Sequence, residues 1–263
     1  MFSDAPRCVY AANPLLEVVC QLRFPTILKI ESELPAEFQD AVREVFPQYS
    51  CRKETPAPKV VPVAGQQPRL ENQPPVSNYG FSTPDGAWRI NLTQNFIAFT
   101  AQKYTRWEEF ARMLDRPLAQ FIRLYAPAYF DRIGLRYVNA VSRKSLDLED
   151  TPWRELIEPA FLGLLSDETL PEQGFARCTQ DAEMALPAGC RLKMHTGPGM
   201  VQRTGAPADR ETKFLLDFDL SMSGNVPVNF SAGAMNTLHT QAYGIFRSAI
   251  TEKLHDAMEP GEV

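Results

Sequence analysis

Leu15-Leu16-Glu17-Val18-Val19-Cys20-Gln21-Leu22-Arg23-Phe24 and Phe130-Asp131-Arg132-Ile133-Gly134-Leu135-Arg136-Tyr137-Val138-Asn139-Ala140-Val141 decide the architecture. Both runs are rich in β-branched and apolar residues, and the first stops at Pro25, so both read as strands. Each contains the step leucine, arginine, aromatic: Gln21-Leu22-Arg23-Phe24 in one and Gly134-Leu135-Arg136-Tyr137 in the other. After each comes a short helix, a group of strands and a long amphipathic helix. This order implies an α+β protein made of two β-α-β3-α halves related by a pseudo-twofold duplication. Mostly antiparallel sheets would be flanked by long helices. The halves are residues 1–127 and 128–263, joined as one compact unit.

In the first half, Leu34-Pro35 opens a helix, because proline is tolerated in a first turn. Phe38, Ala41, Val42 and Val45 recur at helical spacing until Pro47. Residues 52–78 hold six prolines (Pro56, Pro58, Pro62, Pro68, Pro74 and Pro75) and read as an extended surface insert, because proline breaks both ladders and helices. Tyr79 to Lys103 reads as strands and turns, with Tyr79, Phe81, Trp88 and Phe96 in the core. Thr105 and Glu108 have capping-box spacing. The following helix presents Phe110, Leu114, Leu118 and Phe121 on one face, and Pro117 is expected to kink or split it.

In the second half, Pro152 to Leu165 reads as a helix. Phe175 to Leu186, Cys190 to Gln202 and Thr212 to Met222 read as three strands. Ser231 to Met258 reads as one closing helix.

The chain has 263 residues, 44% hydrophobic and 22% charged, which suits a globular protein. A net charge of −5 excludes a general nucleic-acid binder, which needs an overall basic footprint. The five cysteines include no CxxC pair, and the opening residues carry no signal-peptide pattern. The expectation is a soluble cytoplasmic protein with free thiols and no membrane segment.

Seven residues are candidates for binding: Arg23, Arg132, Arg136, Asp217, Asp219, His239 and Tyr243. Arg23 and Arg136 hold like positions in the repeated step, and Arg132 shares a strand face with Arg136. A guanidinium fork suits a carboxylate or phosphate. Asp217 and Asp219 flank Phe218, which places both carboxylates on one strand face about 7 Å apart. They are candidate cation ligands or ion-pair partners of Arg132 and Arg136. His239 and Tyr243 share a helix face at i and i+4. Neither HExxH nor a phosphate loop is present. The expectation is therefore no catalytic residue, no metal and no cofactor.

Asn13-Pro14-Leu15-Leu16-Glu17-Val18-Val19, Arg132-Ile133-Gly134-Leu135-Arg136-Tyr137-Val138-Asn139 and Phe246-Arg247-Ser248-Ala249-Ile250-Thr251-Glu252-Lys253-Leu254 together resemble a sporadically distributed prokaryotic family without an assigned activity. The similarity runs nearly end to end. The order of elements also looks like tandem strand-helix-strand-strand modules such as the effector-binding fold of gyrase-inhibitor-like proteins, which hold small molecules in a groove. The first resemblance implies an accessory of a phage-defence, CRISPR or toxin–antitoxin set, with a protein partner from a neighbouring gene. The leading expectation is a non-enzymatic partner- or ligand-binding protein. The alternatives are a metal-dependent hydrolase acting on a nucleotide or phosphoester, and a small-molecule sensor.

Overall fold

The computed structural model describes residues 2–262 apart from 56, 63–66, 68 and 203–208. In the first half the main elements are β1 (Leu15–Arg23), α1 (Leu28–Ser32), α2 (Ala36–Val42), β2 (Gln48–Glu54), β3 (Val76–Ser82), β4 (Trp88–Leu92), β5 (Phe96–Ala101) and α3 (Trp107–Tyr125). The second half supplies β6 (Phe130–Val141), α4 (Pro159–Leu162), β7 (Gln180–Ala185), β8 (Cys190–Met200), β9 (Thr212–Val226), α5 (Ser231–Ala249) and α6 (Glu252–Ala257).

These nine strands form one sheet in the order β7-β8-β9-β6-β1-β5-β4-β3-β2, and every ladder in it is antiparallel. The two strands that open the halves lie side by side at its centre. Arg23 stands opposite Arg132, and Val19 opposite Arg136.

Strand alternation sorts the side chains onto two faces. Val18, Cys20 and Leu22 of β1, Ile133, Leu135 and Tyr137 of β6, and Phe214, Leu216, Phe218 and Leu220 of β9 join one continuous core with the helices. Phe110 and Phe121 of α3 and Leu238, Ala242 and Ile245 of α5 fill it from above. Each such phenylalanine, fully withdrawn from water, contributes roughly 1.5–3 kcal/mol. The opposite face carries Gln21, Arg23, Arg132, Arg136, Asp217 and Asp219. We refer to it as the open face.

Several expectations are corrected. The proline-rich segment is partly stranded. β2 runs into it, Lys59–Val61 pairs with Arg69–Glu71, and β3 begins at Val76. Pro58 and Pro62 flank the small ladder and Pro74-Pro75 stops just short of β3, so these prolines sit where no ladder N–H is needed. Pro56 and Pro68 lie outside the described residues. After its first helices the first half thus supplies four strands to the main sheet, not three, besides the small ladder.

α3 continues through Pro117. Thr105 does not cap it: Arg106 is the N-cap, Thr105 donates to Glu109, and Glu108 pairs with Arg7 and Arg106. The helix expected over 152–165 is a 3-10 turn at Trp153–Glu155, the short α4, and a second 3-10 turn at Gly163–Ser166. Gly163 sits at φ 58°, which a right-handed helix does not accommodate. The strand expected over 175–186 shortens to β7. The closing helix breaks at Ile250, which bridges to Ile157, and Thr251 then caps α6 by accepting from the Leu254 N–H.

No described helix is long and apolar enough to cross a membrane.

Candidate ligand site between the two halves

The seven candidate residues fall on opposite faces of the sheet. On the open face, Arg136 grips Asp217 with two hydrogen bonds, Nε to Oδ1 at 2.8 Å and Nη2 to Oδ2 at 2.5 Å. Arg132 reaches Asp219 at 2.6 Å. To do so its guanidinium lies across Gly134, where a Cβ would sit 2.1 Å from Nη1. Arg23 makes no ion pair with a described residue. Both aspartates are thus neutralised by arginine, and among the described residues no three Asp, Glu, His or Cys side chains converge as metal ligands do. His195, on the neighbouring strand, pairs with Asp181 at 2.8 Å.

His239 and Tyr243 face the other way. They line a half-open pocket of about 80 Å³ between the start of α3, α5, the centre of the sheet and the N-terminal segment. The helices α3 and α5 belong to different halves, so the cavity lies on their seam. Its walls are chiefly Trp107, Tyr104, Tyr137, Phe218, Ala242 and Phe246. The N-terminal segment closes it from Arg7 to Asn13. That segment is pinned by the Val9–Tyr10 ladder to Pro260–Gly261, by Tyr243 donating to the Pro6 carbonyl, and by Tyr10 bonding His255 at 2.8 Å.

His239 is the hub. Its ring stacks on Trp107, with centroids 4.5 Å apart and planes 7° from parallel. The guanidinium of Arg7 lies 2.8 Å from Nε2, and the Tyr137 phenol oxygen lies 2.8 Å from Nδ1. Arginine is only a donor, so Nε2 accepts and the proton resides on Nδ1, donated to Tyr137. Burial first, and the Arg7 cation second, push the imidazole down from 6.5 to about 3. Arg7 is itself neutralised by Glu108, whose carboxyl that hydrogen bond holds down at about 2. Burial raises Tyr104 and Tyr137 above the ordinary phenol range and Tyr243 to about 12. At neutral pH the cavity therefore presents a neutral imidazole and neutral phenols, beside the Arg7 and Arg106 guanidiniums that Glu108 pairs.

This arrangement suits holding rather than proton transfer. A general base works best when its pKa lies near the operating pH, and an imidazole at about 3 is a feeble base.

The helical spacing of His239 and Tyr243 brought them to attention. Tyr137 was visible only as a strand residue, although alternation sets it on the opposite face from Arg136. Arg7, Tyr104 and Trp107 were missed, because nothing in the sequence says that the first residues fold back over the last long helix. Gly244 shows that close approach: a Cβ there would lie 2.6 Å from the Ser3 carbonyl oxygen.

No protein-family model and no curated protein matches the chain.

Proposed function

We propose that the protein is a non-enzymatic binder of a small neutral molecule, held in the seam cavity. The observation that carries this reading is the half-open pocket beside His239, whose imidazole is kept neutral and fixed in one tautomer by Arg7 and Tyr137. Small-molecule sites are concave, mostly apolar and fitted with a few placed polar groups. A ligand about one aromatic ring in size, stacking near Trp107 and hydrogen-bonding the phenols, suits the walls. A ligand of that kind would tie α3, α5 and the N-terminal segment together, and so report its presence to a partner.

The duplication belongs to the same proposal. Superposing Gln21-Leu22-Arg23-Phe24 on Gly134-Leu135-Arg136-Tyr137 puts a dyad through the Gln21–Gly134 pair. The central register supports it, since that dyad exchanges Arg23 with Arg136 and Val19 with Arg132. The order β1-β5-β4-β3 on one side and β6-β9-β8-β7 on the other supports it as well. A role as an accessory in phage defence, CRISPR or a toxin–antitoxin pair, with a protein partner from a neighbouring gene, rests on the family resemblance. The hydrolase reading is weaker, because Asp217 and Asp219 are already engaged by arginines.

The test is cavity filling. Ala242 is buried in the cavity wall. Ala242→Leu would fill the space. Indole and p-cresol, titrated by ligand-observed NMR, should bind the natural protein and lose at least tenfold in affinity in a folded Ala242→Leu variant. Equal binding by both proteins, or by neither, would remove the cavity from the function.

A further inference from the structure

The open face carries a second feature, on the far side of the sheet from the seam cavity. A cross-strand row runs Ser50, Gly80, Asn91, Ala98, Gln21, Gly134, each directly opposite the next. These side chains are small or uncharged. Gly80 has none, and a Cβ there would lie 2.5 Å from the Ser50 hydroxyl. The rows on either side are mixed, and each carries arginine. One bank holds Arg52, Asn78, Phe96 and Arg23, and the other runs Gln48, Ser82, Arg89, Thr100, Val19. The low row between these arginines makes a half-open trough of about 510 Å³ over β2 to β5.

The trough is limited in length. At β6 the Arg132 guanidinium lies across Gly134 on its way to Asp219, so the floor is blocked there. Beyond that point the charges are matched in pairs, Arg136 with Asp217 and Lys193 with Glu183. The section over β2 to β5 is different. Arg52 and Arg89 both line it, both are exposed, and neither makes an ion pair with a described residue. Arg23, which makes no ion pair with a described residue, stands opposite Phe96 towards the centre of the sheet. The acid lining this section, Glu54, accepts a hydrogen bond from Asn78 at 2.8 Å, and Asn78 in turn accepts from Asn91 at 2.8 Å. Phe96, expected in the core, instead lines the same space: strand alternation turns it to the open face, apart from the hydrophobic core and half-buried.

We propose that this trough binds a small phosphorylated molecule of mononucleotide size, with its phosphate between Arg52 and Arg89 and its ring laid on Phe96. Two guanidiniums approaching from opposite banks match a dianion with three acceptor oxygens better than a single carboxylate, which one fork satisfies. The volume falls in the range of small-molecule sites. An aromatic face accepts a planar base irrespective of its identity. The blocked floor and the carboxylates beyond it argue for a single phosphorylated unit over a continuing polynucleotide.

Calorimetric titration at low ionic strength with AMP, pyrophosphate and adenosine tests this on the whole protein. AMP and pyrophosphate should bind, and adenosine should bind at least tenfold more weakly than AMP. Arg52→Gln and Arg89→Gln should each weaken AMP and pyrophosphate about tenfold, as expected for loss of a charged hydrogen-bonding partner. Phe96→Leu should weaken AMP and leave pyrophosphate unchanged. Both arginines are exposed and make no ion pair with a described residue, so an unaltered circular dichroism spectrum is expected for these variants. Absence of binding by AMP and pyrophosphate, or equal affinity in the double arginine variant, would overturn the assignment. So would a single-stranded oligonucleotide that binds far more tightly than AMP through the same arginines, since the trough would then serve nucleic acid. His239 lies on the opposite face, so none of these outcomes bears on the seam cavity.

Discussion

Acidification from pH 7.5 to pH 5 should cost this protein stability through His239, and replacing that residue by glutamine should abolish that part of the cost. In the unfolded chain the imidazole titrates near its ordinary value of about 6.5. In the fold it is pushed down to about 3 by burial and by the Arg7 cation. Above pH 6.5 both states are neutral and the residue contributes no pH dependence. Between pH 6.5 and about 3 the unfolded chain holds a proton that the native state refuses, so stability falls with pH across that window. At pH 5 the loss amounts to about 2 kcal/mol, from one and a half pH units at about 1.36 kcal/mol each. Glu108 adds little at this pH. Its carboxyl is lowered from 4.5 to about 2, so its contribution is present above 4.5 and is lost only as pH falls towards 2. Urea unfolding of the natural protein and of His239→Gln at both pH values isolates the effect, since other titrating groups are common to the two. The natural protein should lose about 2 kcal/mol more than the variant. Parallel losses in the two proteins would mean that the imidazole takes its proton within the fold, and the neutral cavity would be refuted.

Arg7→Met removes the smaller of the two causes that hold His239 neutral, so the acid-sensitive window should close at a higher pH: the pH 7.5 to pH 5 loss should stay near that of the natural protein, and the further His239-dependent loss below pH 4 should shrink. Phe110→Ala empties the centre of the contact between α3 and the sheet and should cost about 3–5 kcal/mol in urea unfolding. Arg136→Ala breaks a half-exposed ion pair and should change stability by less than about 1 kcal/mol, while disrupting any partner that reads the open face. Gly197→Ala should destabilise by more than about 1 kcal/mol, because φ is 140° and the added Cβ would meet the Cys178 carbonyl oxygen at 2.3 Å.

The strands were legible where alternation was clean. β1, β6 and β9 place polar residues on one face and Val18, Leu135 or Phe218 on the other, and a single chain of that pattern reveals its register to itself. The insert was harder, because proline counts describe a segment and not the positions of its prolines. Pro74-Pro75 ends just where β3 begins, so the ladder loses no donor. The broken helix at Ile250 was hidden for a related reason. Ile250 fits the apolar stripe of α5, and only its bridge to Ile157, from a distant part of the chain, takes it out of the helix. Within the candidate sites, His239 and Tyr243 were visible as a helical pair, whereas Arg7 and Trp107 reach them only through tertiary contacts. Arg52 and Arg89 passed unnoticed, since cross-strand rows become visible only once the pairings are known.

The central ladder of β1 against β6 also governs how the chain can be made. While the ribosome has delivered only the first half, five strands can assemble, yet the outer side of β1 lacks the neighbour that will later cover it. A naked antiparallel edge at that place is an invitation to another nascent copy. A fragment ending at residue 127 therefore has the makings of a homodimer subunit, with β1 against β1 imitating the join that the intact chain builds within itself.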